Sequence, residues 1–243
     1  MLEGLYSAAA GMAAQQQQLD AIGNDLANVS TTGYKTERVA FGDLLYNKLD
    51  EAGTETTTGA GASARTIGSS RTQGSIVETG DPLDLAIEGE GYFQVTGPNG
   101  QPALTRNGSF ELDGSGTLVN SSGNRLSPPI KLPAGVSPQE VRISSDGTVT
   151  AAGKKLGQIK LVTVAAPDQL LASGASELTP TAGSGAPTPL VTSGIKQGAL
   201  EESNVDMAKE MALMVSTQRA FQMSSTAIQN ESQMMSIANQ LKP

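Results

Sequence analysis

The residues best suited to chemistry are four acids near the middle of the chain. Asp81 lies three residues before Asp84, and Glu88 lies two residues before Glu90. Glycoside hydrolases use such paired carboxylates for acid–base catalysis. A sugar cleft also needs aromatic walls, and this chain has only four Tyr and four Phe, with no Trp. We therefore interpret these acids as surface groups beside a strand, and keep a carboxylate-dependent hydrolase of cell-wall polymer as the enzyme alternative.

Two other patterns resemble catalytic or cofactor motifs. Ser193-Gly194-Ile195-Lys196 matches the S-x-x-K motif of serine acyl-enzymes, but the companion S-D-N and K-T-G motifs are absent. Residues 59–64 fit a loose G-x-G-x-x-A pattern, but Thr residues precede them where a dinucleotide site needs an apolar strand. We interpret both as linker sequence, and we predict no catalytic and no cofactor-binding residues.

The composition excludes several classes of protein. The chain has no Cys and no His, so it cannot form a disulfide, a Cys/His zinc site or a Ser-His-Asp triad. Its formal net charge of −8, without a basic cluster, is unsuited to a nucleic-acid backbone. We therefore predict no metal, no cofactor, no nucleic acid and no small-molecule substrate.

The chain shows no targeting or membrane-spanning segment of the usual kinds. No apolar run approaches the roughly 20 residues that span a bilayer. The first basic residue is Lys35, whereas a secretory signal begins with a basic region. If the protein leaves the cytoplasm, we expect it to do so without a cleaved signal peptide.

Both ends of the chain have the heptad pattern of helices that pack along an apolar seam. Between residues 1 and 30, one row recurs every seven residues and a second row follows it, with Gln15 as the polar break. A single stripe of this kind is more often the inward face of an ordinary domain helix. Here the stripes are long and lie at both termini, so we predict self-assembly through Leu5, Met12, Leu19, Ile22, Leu26, Val29, Met207, Met214, Phe221, Ile228 and Met235.

The middle of the chain has the alternating pattern of short strands. Apolar and polar residues alternate over 83–87, and 92–95, 141–143, 148–150 and 158–164 are further predicted strands. Turn dipeptides separate these segments, at Asn99-Gly100, Asn107-Gly108, Asp113-Gly114 and Asp146-Gly147. This pattern predicts one small antiparallel β domain.

We therefore predict an α+β fold in which the terminal helices pair as a coiled-coil-like bundle and the antiparallel β domain is inserted between them. Ser203 or Asn204 is the predicted N-cap of the second helix. The predicted regions are an N-terminal helix over 1–32, an extended linker or small β region over 33–82, the β domain over 83–171, an extended return linker over 172–202 and a C-terminal helix over 203–243.

The stretch from Gly23 to Lys35 predicts either a simple helix stop or, more specifically, a fixed elbow between the first helix and the linker. Asn and Thr side chains near its end can satisfy free backbone groups. Gly33 can take the left-handed conformation that ends a helix.

At this elbow the sequence resembles the bacterial flagellar basal-body rod and hook proteins. Residues 24–35 look like the N-terminal signature of that family, as do 200–206 and 218–221 near the other end. Residues 86–95 and 105–110 also match, so that the blocks occur in the family's order. The signature positions are Asn24, Leu26, Ala27, Asn28, Gly33, Tyr34, Lys35, Ser203, Asn204, Val205, Gln218, Arg219 and Ala220.

The resemblance is closest to the distal rod type, with the proximal rod type as the alternative. It implies a structural subunit that polymerises into a helical tube, transmits motor torque to the hook, encloses the export channel and is not an enzyme. The implied partners are copies of itself, other rod and hook proteins and the flagellar export apparatus. The implied location is the extracytoplasmic basal body. From the residues alone, a secreted adhesin-like β module with oligomerising helical ends remains open.

Overall fold

The structure is a computed structural model that describes residues 2–44, 46–51, 54–97, 99–133 and 135–240. Two long helices lie at the ends of the chain and short strands lie between them. In chain order the elements are α1 Leu2–Ala27, β1 Glu37–Asp43, β2 Tyr46–Glu51, β3 Thr54–Gly59, β4 Ala62–Ser69, β5 Ile76–Glu78, β6 Leu85–Glu88, β7 Tyr92–Thr96, β8 Pro102–Thr105, β9 Phe110–Leu112, β10 Leu118–Asn120, β11 Arg125–Leu126, β12 Val141–Ile143, β13 Thr148–Ala151, β14 Lys154–Gln158, β15 Leu161–Thr163, β16 Leu171–Gly174, β17 Glu177–Thr179, β18 Thr188–Leu190, β19 Gly194–Gln197, β20 Ala199–Glu201 and α2 Met207–Gln240, with 3₁₀ turns at Pro138–Glu140 and Pro167–Gln169.

The chain divides into two compact units. The described residues of 1–27, 37–67 and 206–243 form the first unit, which we call the helical unit. Residues 28–36 and 68–205 form the second, which we call the β unit. The predicted helix–β–helix order is confirmed, and the β region is antiparallel as predicted.

In the helical unit, α1 packs against α2 and also contacts β1. A Cβ atom added to Gly4 would lie 3.1 Å from the carboxylate of Glu231, near the far end of α2. At the other end of α1, the charge of Asp25 raises the pKa of Glu210, so Asp25 lies near the first turn of α2. The two helices therefore run in opposite directions. Neither described helix is apolar over a length that could span a bilayer.

On the described part of α1, Ile22 is the one residue of the predicted seam that is buried, and the other buried side chains are small or polar. Ala14, Ala21 and Asp25 are buried together with Ile22, which is 1% exposed. The other seam residues of α1 (Leu5, Met12, Leu19 and Leu26) are half-buried. Val29 follows the end of α1 and belongs to the β unit, so it is not on this helix.

The second helix begins later than the sequence predicted. Ser203 and Asn204 precede α2, and the Asp206 carboxylate accepts hydrogen bonds from the N–H groups of Ala208 and Lys209 at 3.0 and 3.2 Å. Asp206 is therefore the N-cap, because its side chain satisfies backbone donors that the first turn leaves free.

Along α2 the predicted seam residues are also only partly covered. Met207 is 47% exposed, whereas Met214, Phe221, Ile228 and Met235 are half-buried.

The largest sheet of the β unit has the strand order β16-β17-β8-β7-β11-β10-β9, and β15 joins β7 to β18. A second sheet has the order β12-β13-β14. Two further pairs, β19 with β6 and β20 with β5, join the late part of the chain to its early part. These pairings are antiparallel.

Alternation along β7 explains how the core forms. Phe93 and Val95 are fully buried, whereas Tyr92, Gln94 and Thr96 point to the other face and are half-buried. The rings of Phe93 and Phe110 meet edge to face with centroids 5.4 Å apart, a favoured aromatic geometry. The core therefore uses one face of each short strand, as period-two alternation predicts.

Two stretches differ from the sequence-based expectation. Residues 172–202, predicted as an extended linker, contain β17–β20 and most of β16, because their short strands pair with β5, β6, β8 and β15. Asn107-Gly108 does not close a hairpin. Gly108 lies against the backbone of Leu85, where a Cβ atom would overlap the Leu85 carbonyl, and its own carbonyl accepts from Leu85 N–H at 3.0 Å.

Candidate functional site

A buried carboxylate joins distant parts of the β unit. Glu201 is 0% exposed, and its Oε1 accepts from Lys35 Nζ at 2.5 Å and from Gly74 N–H at 3.0 Å. Its Oε2 accepts from Arg106 Nη1 at 3.0 Å. The side chains of Lys35 and Arg106 are 10% and 7% exposed. We call Lys35, Arg106 and Glu201 the buried ion cluster.

Local strand geometry explains why an acid is buried at this place. Residues on one face of a strand are two apart. Ala199 and Glu201 of β20 share the buried face, with Leu200 on the other. An acid on the same face as a buried alanine needs a cationic partner, because an unpaired charge out of water is costly. The sequence alone does not reveal this burial, because its alternation would place the larger apolar Leu200, and not Glu201, on the inner face.

Strand β20 also binds the elbow after α1 through a backbone hydrogen bond. Gly33 N–H donates to the backbone carbonyl of Glu201 at 2.8 Å. The φ angle of Gly33 is 69°, and a Cβ atom there would lie 2.5 Å from Asn107 N. The predicted left-handed conformation is therefore confirmed, but it serves this close approach, since α1 already ends at Ala27.

Asn204 forms a second connection beside the buried ion cluster. Its Oδ1 accepts from Thr36 N–H at 2.8 Å, and its Nδ2 donates to the Thr72 carbonyl at 3.0 Å. Lys35 Nζ donates to the same Thr72 carbonyl at 2.7 Å. Tyr34 contributes its backbone carbonyl, which accepts from Asn204 N–H at 3.4 Å. The predicted signature residues Gly33, Tyr34, Lys35 and Asn204 thus meet in one place.

The charges of this site are unevenly matched. Burial lowers the pKa of Lys35 below its usual value, and the neighbouring charge of Arg106 lowers it further, against the opposing effect of Glu201. One carboxylate therefore does not fully compensate the desolvation of Lys35. Arg106 also donates to the Gly89 carbonyl at 2.9 Å and lies over the Tyr92 ring, 5.6 Å from its centroid.

The remaining signature positions lie elsewhere. Asn24 donates to Glu37 at 3.0 Å within the helical unit, while Asn28 accepts from the Thr31 hydroxyl at 3.1 Å in the β unit. The Ser203 hydroxyl accepts from Val205 N–H at 3.3 Å. Leu26, Ala27, Gln218, Arg219 and Ala220 lie on α1 and α2, where Leu26 and Ala220 are half-buried and the others are exposed.

The acids that suggested an enzyme have local roles. Asp84 accepts from the Thr79 hydroxyl at 2.6 Å, and Asp81 accepts from Leu83 N–H at 2.9 Å. Glu88 and Glu90 are exposed. Lys196 of the S-x-x-K pattern pairs with Glu78 at 2.7 Å. By contrast, the buried ion cluster connects three chain segments, so its chemistry is that of a structural joint.

Comparison with known families identifies the chain. Residues 5–35 match the family described as "Flagella basal body rod protein". Residues 196–241 match "Flagellar basal body rod FlgEFG protein C-terminal", and residues 86–151 match "Flagellar hook protein FlgE/F/G D1 domain". The flagellar basal-body rod protein FlgG of Borreliella burgdorferi is 36% identical, over 100% of this chain and 99% of its own length.

This chain belongs to the flagellar basal-body rod protein family. The FlgG protein of Buchnera aphidicola subsp. Acyrthosiphon pisum is 37% identical over 99% of this chain and 100% of its own length. The flagellar basal-body rod protein FlgF of Mesorhizobium japonicum is 30% identical over 91% of this chain and 90% of its own length.

In this rod protein chain, we call the buried ion cluster together with Gly33, Thr72 and Asn204 the joint. The joint combines residues from both ends of the chain that the family profiles cover. Gly33 and Lys35 come from the N-terminal match, and Glu201 and Asn204 come from the C-terminal match. Arg106 comes from the central match. Sequence reasoning named Gly33, Lys35 and Asn204 but did not name Glu201, Arg106 or Thr72 as site residues.

Proposed function

We propose that this protein is a structural subunit of the bacterial flagellar basal-body rod, of the distal rod type. Full-length similarity to rod proteins named FlgG supports this proposal. On this proposal, copies polymerise through α1 and α2 into a helical tube that transmits torque to the hook and encloses the export channel. The subunit acts mechanically and catalyses no reaction.

The main observation in support of self-association is the exposed apolar surface of α2. Large apolar side chains stand exposed along this helix in the single chain, and Met223 is 72% exposed. A series of exposed apolar side chains on one element is typical of a protein–protein interface. The exposed residues are Met207, Met211, Leu213, Val215, Met223, Met234 and Ile237.

Gln15 of α1 supports the same interpretation. Its Oε1 atom is buried and finds no donor among the described residues. A buried acceptor without a donor costs about 1–3 kcal/mol. If the Gln15 amide turns outward when a neighbouring copy packs along α1, that copy can supply the donor. Coiled-coil-like packing between copies would then complete a seam that one chain leaves half-covered.

The proposed partners are other copies, the other rod and hook proteins and the flagellar export apparatus. The proposed location is the extracytoplasmic part of the basal body, reached without a cleaved signal peptide. A place in the proximal rod is the second candidate, supported by the similarity to a protein named FlgF. If the gene for this chain restores motility to a strain that lacks only its distal rod subunit, the first candidate is favoured. If it restores motility to a strain that lacks only its FlgF-type subunit, the second is favoured.

The interface on α2 can be tested with Met223→Asp. Because Met223 is largely exposed, the variant should fold with an unchanged melting temperature. A charge placed between copies, however, should abolish rod formation and motility. Gln222→Asp, at the exposed neighbouring position, adds the same charge on a different side of the helix and should still allow rods to form. Imaging of isolated basal bodies gives the result, and normal rods built from Met223→Asp would contradict the proposed interface.

A further inference from the structure

The buried ion cluster opens into a small cavity of the β unit. The cavity has a volume of about 120 Å³, and Lys35, Arg71, Arg106 and Tyr92 lie on its wall. Glu90 also lines the cavity and is exposed, so that water screens its charge. The cavity thus presents three cationic side chains.

The Glu201 carboxylate already accepts three hydrogen bonds within the buried ion cluster and its surroundings. Each oxygen of Glu201 accepts from one of the two buried cations, and Oε1 also accepts from the Gly74 N–H. Two buried positive charges therefore share one buried negative charge in the cluster. An excess charge removed from water is unfavourable unless a further counter-charge reaches it. The lowered pKa of Lys35 is consistent with this imbalance.

Arg71 supplies a guanidinium group that can take a second carboxylate. One of its nitrogens donates to Asp168 at 2.8 Å, and its side chain remains 56% exposed. A guanidinium has five N–H donors in a planar fork that matches the geometry of a carboxylate. An anion in the cavity can thus meet Arg71 at the mouth and the ammonium of Lys35 deeper in.

The wall of the cavity strengthens such an interaction. Desolvation is the main cause that raises the pKa of Tyr92, whose ring lies beneath Arg106. Low local polarity increases the attraction between opposite charges. The small volume also favours one planar carboxylate over a larger ligand.

We propose that this cavity binds a carboxylate group, and that an Asp or Glu side chain of a neighbouring copy supplies it in the assembled polymer. The second half of the proposal rests on the proposed function. The chain carries 24 acidic against 16 basic residues, so a neighbouring copy presents many carboxylates to this cationic cavity. The contact would fix the register between β units, because a charge pair is more directional than apolar packing.

Acetate tests the carboxylate site in the full-length chain. In an NMR titration against chloride at constant ionic strength, acetate should give saturable shifts at Tyr92, Val164 and the Lys35 ammonium. The pKa of Lys35 should rise with bound acetate. Arg71→Gln should weaken acetate binding by roughly tenfold or more, the effect of losing one charge-assisted hydrogen bond.

Arg125→Gln is the matched control for the titration. Arg125 is 62% exposed and lies 3.5 Å from Asp113, away from the residues that line the cavity. This variant loses the same charge and should bind acetate as the unaltered chain does. The carboxylate site is overturned if acetate gives no saturable response, or if both variants respond alike.

Assembly tests the source of the carboxylate. Arg71→Gln should reduce the number of complete rods and shrink swarming rings severalfold, while Arg125→Gln should not. If Arg71→Gln binds acetate weakly yet builds normal rods, the part assigned to a neighbouring copy is wrong and the site takes only free carboxylates. If the unaltered chain builds no rods, the proposed function fails, while the acetate titration still decides the cavity.

Discussion

At the scale of single residues, Glu201 is the one carboxylate that both cations of the buried ion cluster share. It accepts from two cationic side chains and one backbone N–H, all in the interior of the β unit. Replacing one buried pair with apolar residues can be neutral, but removing only one partner leaves the others charged and uncompensated. The stability of the β unit should therefore depend strongly on this one carboxylate.

Glu201→Gln should destabilise the β unit by about 3–5 kcal/mol, because two buried cations lose their counter-charge while the shape of the side chain is kept. Hydrogen exchange of the Phe93 and Val95 amides, which belong to the core, would report this loss. Glu78→Gln is the control, since it removes an acid from the exposed pair with Lys196 and should leave exchange almost unchanged. Equal exchange rates in the two variants would show that the buried ion cluster does not support the core.

At the scale of elements, the pair of helices contains an unusual buried acid. Glu210 is 8% exposed and lies in the first turn of α2. Burial raises the pKa of Glu210, and the charge of Asp25 raises it further; Lys209 opposes this and Asp206 adds to it. Asp25, also buried, accepts from Glu37 N–H at 3.0 Å. Two buried carboxylates are thus near each other where α1 ends and α2 begins.

This arrangement gives the helical unit a pH dependence of definite sign. The folded-state pKa of Glu210 lies above its unfolded value, so the folded state binds the proton more tightly. The destabilisation that ionised Glu210 causes is absent below the unfolded pKa, grows between the unfolded and the folded pKa, and is complete above the folded one. Acidification from neutral pH toward the usual range of a glutamate should therefore stabilise the helical unit through this group.

Glu210→Gln should raise the melting temperature of the helical unit at pH 7, by about 4–8 °C for each kcal/mol recovered, the scale for a domain of roughly 60–100 residues. The gain should shrink as pH falls to about 4. Glu202→Gln, at an exposed acid just before α2, controls for the loss of one negative charge. Circular dichroism at 222 nm would follow the helices, and a gain that does not depend on pH would contradict the assignment to Glu210.

Elements were predictable from the sequence wherever their pattern was local. The heptads of α1 and α2 and the alternation in β7 each indicate their own structure. The strands β17–β20 were not predictable, because each has only three or four residues and they lie within residues 172–202, a stretch rich in Gly, Ser, Thr and Pro. They exist because strands far along the chain pair with them, as β5 does with β20.

At the scale of the whole molecule, the sequence indicated the family but not the joint. Gly33, Lys35 and Asn204 stood out as signature residues. Their partners did not, because Lys35 and Glu201 are 166 positions apart and Arg106 and Glu201 are 95 apart. No local pattern carries such a pairing. Burial of Glu201 beside Ala199, which calls for a cationic partner, became visible only in the structure.

The joint also predicts how the chain can be divided. Residues 28–36 and 68–205 hold the complete cluster and both hydrophobic groups of the core. Ser70 N–H donates to the Thr36 carbonyl at 2.7 Å, so a short Gly-Ser linker can replace residues 37–67. The resulting chain, without either helix, should fold cooperatively and remain monomeric, because the exposed apolar residues of α2 are gone.

The same fragment cut after Gly198 should fail to fold, since it lacks Glu201 and Asn204 while keeping nearly all of the apolar core. Dispersed amide spectra and one thermal transition would identify the folded fragment, and sedimentation would give its mass. If the shorter fragment folds equally well, the core alone holds the β unit and the joint has no structural role. If neither folds, the β unit depends on the helices. The predicted difference between the two fragments therefore isolates the contribution of seven residues, 199–205, to the whole molecule.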